Sequence, residues 1–77
     1  MIGMKIRFLR TLAVEVESST ETWDKTYFRW DEVRVEEIYP FGRVSNIKTH
    51  DGNYLIAVPS DAFEKVLDQE KKKLDIL

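Results

Sequence analysis

The chain holds a single histidine, His50, directly before Asp51. A His–Asp neighbour pair is the minimum for acid–base chemistry, in which the carboxylate orients the imidazole and the imidazole moves the proton. Nucleophilic catalysis would add a hydroxyl within reach of that base, and Ser18, Ser19, Ser45 and Ser60 would all have to rely on His50. With no Cys and one His, neither a triad with a separate base nor a sulfur- or nitrogen-rich metal site can be assembled. His50 reads as a solvated turn residue. The 14 Asp and Glu residues make carboxylate pairs unavoidable: Glu15 and Glu17 fall on one face of a strand, Glu36 and Glu37 on opposite faces. Glycoside chemistry needs such a pair inside a cleft that raises the pKa of one member, and 77 residues leave little room for that cleft. The acids lack calcium-loop spacing, and three glycines do not make a phosphate-cradling loop. The expectation is a chain that is not an enzyme, with no catalytic residue, cofactor, metal or small-molecule substrate.

Two other sets of residues carry more information. Lys5 and Arg7 share the outward parity of the first alternating stretch, and Lys25, Tyr27 and Arg29 share one parity of a later one. If those strands pair, they form a basic face studded with rings, which suits single-stranded nucleic acid: bases stack on aromatics while cations follow the phosphates. Against this stands the charge balance, 12 Lys and Arg for 14 Asp and Glu, net −2. The second set is aromatic: two Trp, three Tyr and four Phe. Phe8, Phe28 and Phe63 are natural core residues. Trp23, Trp30, Tyr39, Phe41 and Tyr54 exceed what a domain of this size usually hides, and exposed Trp and Tyr are typical interface anchors. Trp23, Trp30, Tyr39 and Phe41 are therefore the candidate partner-binding residues, for a protein partner or a second copy of the chain. The leading functional expectation is a non-enzymatic protein-interaction module (a small adaptor, regulator or subunit), and the alternative is a single-stranded nucleic-acid-binding small barrel.

The elements that must position these residues are mostly strands. Over 4–17, Ile6, Phe8, Leu12, Val14 and Val16 alternate with Lys5, Arg7, Thr11, Glu15 and Glu17, the period-2 pattern of a strand with one buried face. Leu9 and Arg10 break the phase, so a bulge or a switch between sheets is expected there. Further strands are predicted over 23–30, 33–39, 43–49 and 53–58, with a bulge around 36–38 and a turn at Pro40-Phe41-Gly42. His50-Asp51-Gly52 is a hairpin turn, because Asp-Gly supplies the positive φ that tight turns need. After Pro59, Ser60 can cap a helix over 60–74, with Phe63, Val66, Leu67 and Leu74 on one side and Asp61–Lys65 and Asp68–Lys72 as i,i+4 ion pairs.

Two stretches resemble the SH3-like small barrels: Tyr27-Phe28-Arg29-Trp30-Asp31-Glu32-Val33-Arg34-Val35, and Val58-Pro59-Ser60-Asp61-Ala62-Phe63. The resemblance lies at the level of architecture. It implies a mainly β, small antiparallel SH3-like barrel or curled sheet of four or five strands, with a C-terminal α-helix, as a single domain over 1–77. The proline-peptide-binding members use paired tyrosines on the first strand, a Trp after the central loop and a Tyr after the Pro-Ser step. Here those places hold Thr11-Leu12-Ala13-Val14, Arg43-Val44 and Ala62, so the aromatic-lined groove for polyproline is missing.

Composition sets the remaining limits. At 43% hydrophobic and 34% charged the chain reads as a folded globular domain. The longest apolar run, Tyr54-Leu55-Ile56-Ala57-Val58, is far below the roughly 18–20 residues of a membrane span. Lys5, Arg7 and Arg10 interrupt the first dozen residues, unlike a signal peptide. The expected location is cytoplasmic, away from membranes.

Overall fold

The computed structural model describes residues 3–68, and every regular element in them is a β-strand. In chain order they are β1 (Gly3–Phe8), β2 (Leu12–Glu17), β3 (Thr22–Tyr27), β4 (Glu32–Phe41), β5 (Val44–Thr49), β6 (Tyr54–Pro59) and β7 (Phe63–Asp68). All ladders are antiparallel and join into one sheet of order β3-β2-β6-β5-β4-β1-β7. The mainly β, antiparallel expectation holds, with seven strands in place of four or five. The sheet is not closed, because β3 and β7 are its edges. It nevertheless curls: Phe8 of β1 stacks on Tyr27 of β3 at 4.6 Å between ring centroids, although those strands lie near opposite ends of the order. The concave side holds the core of Ile6, Phe8, Val14, Val16, Val35, Ile47, Leu55, Val58 and Phe63.

The stretch 4–17 is two strands, and Leu9–Thr11 is where they part. β1 goes to β4 and β7, whereas β2 crosses to β3 and β6. The phase break at Leu9 and Arg10 thus marks a switch of neighbours. The long β4 absorbs a register shift between Val35 and Glu37, which moves Ile38 and Pro40 onto the face of Val33 and Val35. Pro40 and Phe41 belong to that strand, opposite Ser45 and Val44, so the turn is Gly42-Arg43. Gly42 sits at φ 66 there, the first-position glycine that suits a two-residue hairpin. The His50-Asp51-Gly52 turn stands where expected, with Gly52 at φ 90. In β6, two residues, Ile56 and Ala57, oppose the single Asn46 between the pairs Ser45–Val58 and Ile47–Leu55. Ala57 takes φ 53, and its N–H donates to Asn46 Oδ1 at 2.9 Å. The side chain replaces the ladder bond that the bulge removes.

The expected helix over 60–74 is corrected. Residues 63–68 are β7, paired with β1 from Gly3–Asp68 to Phe8–Phe63; residues 69–74, and with them the Asp68–Lys72 pair, lie outside the described residues. Phe63 and Lys65 face one side and Glu64 and Val66 the other, and a complementary edge on β1 decides between the two periodicities. Ser60 caps no helix. Its N–H donates to the Arg43 carbonyl at 2.8 Å and its hydroxyl meets that of the buried Ser45 at 3.1 Å. Asp61 pairs with Arg10 at 3.2 Å rather than with Lys65.

Candidate functional site

The turn between β3 and β4 is where side chains and backbone depart furthest from a plain scaffold. Phe28 is 59% exposed and Trp30 56%, which corrects the expectation that Phe28 lies in the core. Trp30 also takes φ 77, a left-handed conformation that a bulky residue avoids at a cost of about 1–2 kcal/mol. Hydrogen bonds from three directions hold it there. Phe28 N–H donates to Asp31 Oδ2 at 2.8 Å, and Asp31 N–H returns to the Phe28 carbonyl at 2.9 Å. Trp30 N–H donates to the Phe8 carbonyl at 2.7 Å, Phe8 N–H to the Asp31 carbonyl at 2.9 Å, and Arg29 N–H to Thr11 Oγ1 at 3.1 Å. The Arg29 guanidinium lies 4.7 Å from the Trp30 ring, a cation–π contact that stiffens both. The result is a pinned apolar knuckle. Phe28 lay in an aromatic-rich run predicted as strand; the sequence sign of the turn was Asp31, which can fold back on a backbone N–H three residues earlier.

The other expected anchors do not join this knuckle. Tyr39 and Phe41, 38% and 61% exposed, lie at the far end of β4, whose ten residues span about 33 Å. Tyr39 donates to a Glu37 carboxylate oxygen, and that bond, with the nearby negative charge, pushes its pKa up to about 12. Trp23, 39% exposed, lies opposite Val16 and so points to the concave side. The expected anchors therefore form three separate features.

The basic set is divided too. β1 pairs with β4 and β7 and β3 pairs with β2, so the supposed pairing of Lys5 and Arg7 with Lys25, Tyr27 and Arg29 does not occur. Lys5 Nζ lies 3.1 Å from Glu32, and Arg7 reaches both Glu32 and Glu64 at 3.0 Å. The bonds from Lys5 and Arg7 hold the Glu32 carboxyl below its usual range, and Glu32 raises Arg7 in return. This outer face is a charge-compensated ladder. Tyr27 turns inward onto Phe8, and Lys25 Nζ lies 5.4 Å from the Tyr27 ring centroid. Burial, together with the charges of Asp51 and Asp31, raises the Tyr27 pKa. Trp23, Lys25, Tyr27, Asp51 and Asn53 thereby border a concave hollow of about 150 Å³ floored by Val16, Val33 and Leu55.

Among the described residues, no three His, Asp or Glu side chains come within metal-binding reach of one another, and no helix is long and apolar enough to cross a membrane. Comparison with protein-family models, with curated proteins and with solved structures gives no match to this chain.

Proposed function

We propose that this chain is a non-enzymatic protein-interaction module, a small adaptor, regulator or subunit carried on an SH3-like curled sheet. The observation that supports it is the Phe28-Arg29-Trp30 knuckle. Two large apolar side chains are more than half exposed, and the backbone beneath them is held in a conformation the chain would otherwise avoid. Adjacent aromatic and Arg groups at a rigid projection are the composition of interface hot spots, where ordering costs have been met before the partner arrives. Tyr39 and Phe41, at the opposite tip, offer a second contact point for a partner or a second copy.

The test compares the wild type with the double variant F28S/W30G. Tagged protein is recovered with its bound partners from the native host, and self-association is measured by sedimentation. A partner or oligomer present with the wild type and lost in the variant, whose circular dichroism is unchanged, is the expected result. Equal recovery by both, or a wild type that is monomeric and partnerless, overturns the reading.

A second reading, binding of single-stranded nucleic acid through Lys5, Arg7, Lys25, Tyr27 and Arg29, draws support from the Arg29–Trp30 stack, since ring and guanidinium both suit an unpaired base. It is the weaker one, because Lys5 and Arg7 already share Glu32 and Asp31 and Asp51 act on Tyr27. It requires fluorescence anisotropy with short RNA or DNA to show binding that falls steeply with salt, and no binding at low salt removes it.

A further inference from the structure

The concave hollow beside β3 has a chemistry distinct from that of the knuckle. Its floor is apolar, from Val16, Val33 and Leu55, and two rings border it, Trp23 and Tyr27. Residues 23, 25 and 27 alternate onto the same side of β3, which puts Lys25 between the rings with its ammonium 5.4 Å from the Tyr27 centroid. The Asp51 carboxylate borders the same space and has no ion-pair partner among the described residues. Aromatic faces attract cations through the ring quadrupole, most strongly where water is partly excluded. An unpaired carboxylate at the rim adds an attraction that rings alone do not supply. The volume of about 150 Å³ is that of a cavity able to hold a benzene-sized guest.

We infer that this hollow is a binding site for an organic ammonium group, a lysine-type or quaternary head group, and that Lys25 takes the ligand's place in the free protein. Two features of the same space favour this over an anionic guest. Among the described residues that border it, the one cation, Lys25, already lies against a ring, and the one carboxylate, that of Asp51, stands at the rim. Lys25 then has a defined role: it is an internal competitor that a stronger or better-placed cation displaces. The site is independent of the knuckle, since none of Phe28, Arg29 and Trp30 borders it.

The probe is tetramethylammonium chloride, titrated against sodium chloride of equal ionic strength, with the Trp23 indole and Tyr27 ring followed by NMR. The Trp30 indole is the internal control. Lys25→Met removes the competing charge. At about 6 Å, and an effective dielectric between those of surface and bulk water, that charge is worth about tenfold in the dissociation constant. Saturable shifts at Trp23 and Tyr27, about tenfold tighter in K25M than in the wild type and about tenfold weaker again in K25M/D51N, are expected. Asp51→Asn keeps an Asn-Gly turn of equal preference, so this second change leaves the fold intact. A peptide carrying trimethyllysine separates the sources: tighter binding than the free cation points to a protein side chain, and equal binding points to a small molecule. Wild type and K25M binding alike, K25M/D51N binding as tightly as K25M, or shifts that never saturate, overturn the inference. Loss of the partner in F28S/W30G leaves this result untouched, so the two readings fail separately.

Discussion

Replacing Trp30 by Gly and by Ala in parallel separates what the side chain does from what the backbone endures. Both variants lose the indole, 56% of whose residue surface faces solvent, and with it the same contact to Arg29. They differ only in how they bear φ 77. An L-residue there costs about 1–2 kcal/mol, which Gly does not incur. Gly loses about 0.5–1 kcal/mol of that advantage through the greater freedom of its unfolded chain. The balance leaves W30G more stable than W30A by about 1 kcal/mol, or about 4–8 °C in Tm for a domain of this size. That order inverts the one found in regular strands and helices, where Ala exceeds Gly. Thermal unfolding by circular dichroism, with urea midpoints as a check, reads it directly. If W30A equals or exceeds W30G, the left-handed turn is not held as described, and the case for a strained, displayed tryptophan fails with it.

Four further outcomes follow from the packing and the charges. Phe8→Ala removes a fully buried ring stacked on Tyr27 and should cost about 3–5 kcal/mol, read as a large fall in the urea midpoint. Asn46→Ala strips the Ala57 N–H of its acceptor, costing about 1 kcal/mol, and hydrogen exchange should lose protection at Ala57 ahead of its neighbours. Tyr39, raised from 10.0 to about 12 mainly by its bond to Glu37, holds its proton more tightly when folded than when unfolded. Its stabilising contribution is therefore complete below pH 10 and fades between 10 and 12; ultraviolet titration should show late phenols at Tyr39 and Tyr27, of which Glu37→Gln brings only Tyr39 forward. Glu32, lowered from 4.5 by the bonds from Lys5 and Arg7, works in the opposite sense. Its contribution is complete above that value and is lost as pH falls through the lowered one, so Glu32→Gln should flatten the acid limb of a stability–pH curve.

β1 and β2 are legible because one face of each is buried and the other carries charge. Val14 and Val16 against Glu15 and Glu17 read as β2 without ambiguity. Arg10 on the apolar parity marked the corner where the chain changes neighbours, and Asp51-Gly52 marked the hairpin. What failed depended on partners far along the chain. The segment 63–68 satisfies a helical spacing through Phe63, Val66 and Leu67 as well as a strand spacing, and only the distant β1 edge selects between them. Phe28 and Trp30 suffered from a different ambiguity, since strand-forming aromatics also serve in turns. Their exposure follows from Asp31 and Thr11 capturing backbone N–H groups. Parity alone groups Lys5 and Arg7 with Lys25, Tyr27 and Arg29, and parity says nothing of which strand lies alongside.

The ladder between β1 and β7 ties residues 3–8 to 63–68, and this bears on how the chain is made. Synthesis at about 5–20 residues per second leaves β1 without that neighbour for roughly 3–12 s after it emerges. During that interval Ile6 and Phe8, fully buried in the finished fold, have only β2 to β6 to shelter them as those strands emerge. The outward side of the same strand carries Lys5 and Arg7, which guard the waiting edge against like copies while the last strand is still to come. Charges that look merely decorative on the finished sheet thus act earliest in the life of the molecule, as a safeguard for the nascent chain on the ribosome.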